Sequence, residues 1–133
     1  KTKGGAITKA AREVGETVDA KYLITFTQSG DSARRMSRLR PGIPMIAITP
    51  VAEVYNQLAL SWGVEPYKTE LVSTTDEMVR QADSIIINQN KVKKGELVII
   101  VAGSPPGIPG SINAMRVHKV GDAVDGVVPA YRK

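Results

Sequence analysis

Two segments far apart in the chain hold the residue types that could do chemistry: Phe26-Thr27-Gln28-Ser29-Gly30-Asp31-Ser32, and Ala102-Gly103-Ser104-Pro105-Pro106-Gly107-Ile108-Pro109-Gly110-Ser111. Each follows an apolar, β-branched run that reads as a buried strand, and the first opens onto a helical stretch. A helix N-terminus offers unpaired backbone N–H groups and the positive end of the dipole to an anion. Hydroxyls, an amide and a glycine around such a terminus outline a phosphate site. Bond-making chemistry has little to work with, since the chain contains no cysteine, one histidine and no metal-ligand cluster. The expectation is a binding domain.

The elements that must position these loops can be read from periodicity. Ile7, Ala10, Ala11 and Val14 recur at helical spacing, with Lys9, Arg12, Glu13 and Glu16 opposite. Tyr22 to Phe26 is a short strand, and Ser32 to Leu39 a helix turning Met36 and Leu39 inward, stopped by Pro41 and Gly42. Met45 to Ile48 is a second buried strand. Val51, Val54, Tyr55, Leu58, Ala59 and Trp62 give a helical stripe ended by Gly63, and Val64 to Tyr67 a third strand. Thr74-Thr75-Asp76-Glu77 has the pattern of a capping box ahead of the stripe Met78, Val79, Ala82, Ile85 and Ile86. A basic turn, Lys91 to Gly95, leads into Leu97 to Val101, and Met115 to Val120 reads as a half-exposed last strand. Continuous apolar strands alternating with helices predict an α/β fold with a parallel sheet covered on both faces, where ligands sit beyond the carboxyl ends of the strands. Both loops lie at such ends. Residues 1–120 read as one domain and 121–133, which lose all periodicity, as a tail or linker.

Composition narrows the partners. The 133 residues are 42% hydrophobic and 23% charged, enough for one domain with a real core. A net charge of +5 favours anionic partners. Its aromatic residues are scattered and do not interleave a basic groove, which argues against nucleic acid. No apolar run approaches the roughly 20 residues of a membrane span. The lack of cysteine fits an intracellular location, and a start without methionine, close to a helical pattern, suggests a piece of a longer polypeptide.

Several stretches occur together in a familiar order: Thr25-Phe26-Thr27-Gln28-Ser29-Gly30 with Ser32-Ala33-Arg34, Pro44 to Pro50, Leu58 to Val64, Lys93-Lys94-Gly95-Glu96, and Ala102 to Gly107. Over about residues 4 to 120 the chain resembles the C-terminal domain of pyruvate kinase. The resemblance implies a three-layer α/β/α fold with a mainly parallel sheet of about five strands, the last antiparallel. It also implies a regulatory, tetramer-forming module of a cytoplasmic glycolytic enzyme. The parent transfers a phosphoryl group from phosphoenolpyruvate to ADP, with Mg²⁺ and K⁺, in a barrel domain that is not among these residues. The residues agree, because phosphoryl transfer needs metal-binding carboxylates and positioned cations, and no Gly-x-x-x-x-Gly-Lys-Ser/Thr loop is present. No cofactor is expected in this domain.

The resemblance further implies that Thr27, Gln28, Ser29, Gly30 and Ser32 hold a phosphate of an allosteric effector, and that a loop containing Gly103, Gly107, Gly110 and Ser111 covers it. Family members activated by fructose 1,6-bisphosphate often carry a basic residue at Asp31 and an arginine at Met78. A carboxylate about 4 Å from a phosphate is repulsive by roughly 4 kcal/mol at a near-surface dielectric. AMP or a sugar monophosphate is therefore the expected effector, with Arg34, Arg35 or Arg38 supplying positive charge.

Plainer readings stand beside these. The Thr27 to Ser32 loop reads equally as a strand-to-helix turn whose hydroxyls cap the helix, and the proline-rich loop as a rigid surface connection. Arg34, Arg35, Arg38 and Arg40 read as a solvated helix face. His118, without an identifiable partner carboxylate nearby in sequence, is expected to be exposed on its strand, and Trp62 to pack in the core or at an interface. A structural assembly domain without a ligand is the alternative function.

Overall fold

The computed structural model describes residues 3–39, 42–61, 63–72, 74–103 and 114–122. In order these form α1 (Lys3–Thr17), β1 (Leu23–Phe26), α2 (Asp31–Arg38), β2 (Met45–Thr49), α3 (Ala52–Leu58), β3 (Val64–Lys68), α4 (Thr75–Asn88), β4 (Leu97–Ala102) and β5 (Ala114–Lys119). The strands make one sheet in the order β3-β2-β1-β4-β5. All neighbours are parallel except β4 and β5.

Alternation along the strands sends two sets of apolar side chains to opposite faces. Ile24, Ile46, Ile48, Val98 and Ile100 meet Val79, Ala82 and Ile86 of α4. Leu23, Met45, Ile99 and Val101 meet Ala11 of α1 and Met36 of α2, while Ala47 packs with Ala33, Val54 and Leu58 of α2 and α3. Three helices thus cover one face and α4 alone the other, the expected three-layer arrangement. Withdrawing each Ile or Leu of these clusters from water contributes about 1.5–3 kcal/mol. Pro66 sits in β3, an edge strand, where a missing N–H removes no ladder bond from the sheet interior.

The capping box is formed as expected: Thr74 accepts from the Glu77 N–H, and the Glu77 side chain accepts from the Thr74 N–H. Two expectations need correction. The first concerns α3, which ends at Leu58 although the apolar stripe runs on in sequence. Leu60 N–H bonds to the Gln57 carbonyl and Ser61 N–H to that of Leu58, so the chain tightens into an i to i+3 turn, and Leu60 is left 89% exposed. Gly63, with φ of +64°, lies beyond that turn, at the entry to β3, rather than stopping the helix. Trp62, Arg40 and Pro41 lie outside the described residues.

The second correction is His118, which is buried and partnered. It stands opposite Val98, and cross-strand partners share a face; that face is the one covered by α4. His118 Nε2 lies 2.9 Å from Oδ1 of the fully buried Asp83 of α4. The same carboxylate accepts the Gly121 N–H at 3.0 and 3.1 Å. Val117, on the other face, is 45% exposed because β5 is an edge. Of the expected tail, 121–133, Gly121 is thus tied to α4, and residues 123–133 lie outside the described residues.

Candidate anion-binding site

From β1 the chain moves outward to β2 and β3, then crosses back over α4 to enter β4 on the other side of β1. The strand order therefore reverses between β1 and β4, and a crevice opens beyond the carboxyl ends at such a reversal. Thr25 is in register with Val101, so Thr27 and Gly103 each follow two residues beyond that pair. The fold brings the starts of the two singled-out loops side by side. Gly103 is half-buried; Gly107, Gly110 and Ser111 lie outside the described residues.

The β1–α2 loop is built on its own hydroxyls. Thr27 Oγ1 accepts the Gly30 N–H at 2.7 Å and Ser29 Oγ accepts the Asp31 N–H at 3.2 Å. Beneath them Ser32, in the first turn of α2, shares a 2.9 Å hydrogen bond with the Thr25 hydroxyl. Thr27, Gly30 and Ser32 are buried, and Gln28 and Ser29 half-buried. Gly30 is the N-cap residue of α2 with φ of +90°, a conformation that favours glycine, and it has no side chain with which to cap the N–H groups of Ser32 and Ala33.

Charge at the loop comes as a pair. Asp31 occupies the first turn, where a carboxylate complements the helix dipole. Arg34 Nη2 donates to Asp31 Oδ1 at 3.1 Å and to the Ser29 carbonyl at 2.9 Å. Its guanidinium lies across Gly30 so closely that a Cβ there would be 2.7 Å from Nη1. Arg35 and Arg38, the other expected charge partners, lie in the last turn of α2, toward the opposite end of the helix from the loop.

A separate cluster joins the C-terminal end of α4 to the sheet edge. Lys91 Nζ is 2.7 Å from Glu65 Oε2, which also accepts from the Tyr67 hydroxyl. Partial burial pushes the Glu65 carboxyl up, but the hydrogen bonds from Lys91 and Tyr67, with the Lys91 charge, outweigh it and leave it below its ordinary value. Burial and the Glu65 hydrogen bond push the Tyr67 phenol up. Among the described residues no group of three His, Cys, Asp or Glu could hold a metal ion, and no helix is long and apolar enough to cross a membrane.

A sequence model of the family described as pyruvate kinase, alpha/beta domain, matches residues 5–118. The pyruvate kinase of Mycobacterium tuberculosis is 47% identical over 122 residues, which are 92% of this chain and 26% of that protein. That of Corynebacterium glutamicum is 40% identical over the same share of each. Among solved structures, Cryptosporidium parvum pyruvate kinase in complex with ADP superimposes with a TM-score of 0.81 at 29% identity, over 90% of this chain and 24% of the other. The chain spans about a quarter of the length of the curated relatives it matches.

Proposed function

The chain belongs to the pyruvate kinase family, as its C-terminal α/β domain, and from that premise we propose that it is a regulatory module that binds a phosphorylated effector, AMP or a sugar monophosphate, at the β1–α2 loop. One observation carries the reading: the strand order reverses between β1 and β4, setting the Thr27–Ser32 loop and Gly103 side by side at the carboxyl edge of the sheet. Thr27 and Ser29 accept within the loop, and each keeps a hydroxyl proton for an incoming oxygen. The first-turn N–H groups of Ser32 and Ala33 are donors that helix geometry leaves without intrahelical partners.

In this reading the polypeptide that carries the domain transfers a phosphoryl group from phosphoenolpyruvate to ADP in a barrel domain, with Mg²⁺ and K⁺, as a cytoplasmic homotetramer. The C-terminal domain contributes subunit contacts and coupling. An effector that binds one quaternary state better than another shifts the population toward it, typically by about 1–3 kcal/mol.

Isothermal titration with AMP, glucose 6-phosphate, ribose 5-phosphate and fructose 1,6-bisphosphate tests the reading, with Thr27→Ala beside the unaltered chain. Saturable binding of a monophosphate is expected, lost in Thr27→Ala while circular dichroism stays unchanged. A second reading, an assembly domain without a ligand, draws on the loop hydroxyls being engaged with one another in the Thr27–Gly30, Ser29–Asp31 and Thr25–Ser32 contacts. It predicts that none of the four compounds binds.

A further inference from the structure

Arg34 has an arrangement that the phosphate-site reading does not by itself require. Both of its contacts are made by one nitrogen, Nη2, and both go to residues of the loop: the Ser29 carbonyl at 2.9 Å and Asp31 Oδ1 at 3.1 Å. A guanidinium binds an oxyanion best through two parallel N–H groups, and the Asp31 contact does not use that geometry. The pair is open to water, with side chains 37% and 66% exposed for Arg34 and Asp31, so it is held weakly. The guanidinium also lies over Gly30, at the mouth of the helix N-terminus, because a glycine with positive φ leaves that space clear.

Resting on the phosphate-site reading, we propose that Asp31 and Arg34 form a latch: in the unliganded domain the guanidinium covers the loop mouth, and a phosphate monoester binds by exchange, taking Arg34 from Asp31 into a bidentate contact. No bond is made or broken. Asp31 then sets affinity through its hold on Arg34, beyond any direct repulsion of the ligand. Gly30 is needed so that the guanidinium can lie over the loop in the unliganded state.

A double-mutant cycle separates the two effects. Binding of inorganic phosphate, AMP and glucose 6-phosphate is measured by titration for the unaltered chain, Asp31→Asn, Arg34→Ala and the double variant. The Arg34 Nε–H resonance is followed by NMR in the two proteins that retain Arg34. Asp31→Asn is expected to tighten phosphate-ester binding about two- to fivefold, and Arg34→Ala to weaken it about tenfold or more. The gain from Asp31→Asn should vanish when Arg34 is absent. If the same gain persists in the Arg34→Ala background, Asp31 acts by repulsion alone and the latch is overturned. Unchanged or tighter binding by Arg34→Ala overturns it too, since no cation is then recruited. Absence of binding by all four proteins overturns the phosphate-site reading and the exchange with it; an Nε–H resonance that still moves with Asp31→Asn would leave the pair as a structural contact only.

Discussion

Helices α2 and α4 both begin at the carboxyl edge of the sheet, on opposite faces, yet their polar groups are treated in opposite ways. At the start of α4, Thr74 and Glu77 satisfy each other's backbone N–H groups. Further along, the buried Asp83 carboxylate meets His118 and Gly121 and closes the far strand onto the helix. The start of α2 has as its cap residue a glycine, which offers no side chain; Thr27 and Ser29 of the preceding loop take the Gly30 and Asp31 N–H groups, and the acid–base pair beside them is half open to water. Internal satisfaction gives stability. Backbone donors left over at a reversal of strand order are what the proposed function assigns to a ligand. The polar groups of α4 hold the fold, while in the proposed function those of α2 serve binding.

The largest test of that division is Asp83→Ala. Removing one partner of a buried pair strands His118 and the Gly121 N–H, and about 3–5 kcal/mol of stability should be lost, seen as a lower urea midpoint. Asp31→Ala should shift the midpoint by no more than about 0.5 kcal/mol; similar losses from the two would break the comparison. Next comes Gly30→Ala, which places a Cβ at φ of +90° and within 2.7 Å of Arg34 Nη1. A cost of about 1–3 kcal/mol is expected, and here, unlike at Asp83, the heat of phosphate-ester binding should fall with it.

Thr74→Ala sharpens the contrast from the other side. Loss of the cap should cost about 1 kcal/mol in thermal unfolding, with effector affinity untouched because that helix start is sealed. The smallest effect belongs to Glu65, beyond the far end of α4. Its carboxyl is held below the ordinary value of 4.5, so its contribution is fully present above about pH 4.5 and is lost as pH falls through the lowered folded value. The Glu65 side chain is 39% exposed, and solvent screening leaves only about a few tenths of a kcal/mol. Urea midpoints between pH 3 and 7 should show a slightly flatter acid limb for Glu65→Gln.

Much of this could be read from the chain because the informative residues act locally. Thr74 and Glu77 cap over three positions, and the runs Met45 to Ile48 and Leu97 to Val101 declare buried strands through continuous apolarity. The end of α3 escaped such reading because the stripe through Ala59 does not show that the last turn tightens and turns Leu60 outward. His118 escaped for a different reason: its partner lies 35 residues away on a helix, and the face it takes is decided by register with Val98. At the candidate site the hydroxyl and glycine types were legible. What they bond to was not, since the Thr25–Ser32 contact and the Arg34 fold-over depend on where α2 sits against β1.

The reversal of strand order also says something about assembly. Leu23 pairs with Met45, 22 positions on, and Met45 with Val64, 19 positions on, whereas Leu23 meets Ile99 only across 76 positions. Short closures cost less chain entropy and come sooner than long ones. The sheet β1-β2-β3 can therefore gather early, as a half-molecule with one loop of the crevice and not the other. A phosphate ester bound as proposed between Thr27 and Gly103 would find its second wall only after β4 has paired with β1. In the proposed function, binding of that kind would draw the equilibrium toward finished molecules, and the effector would then report on the completeness of the domain as well as on its quaternary state.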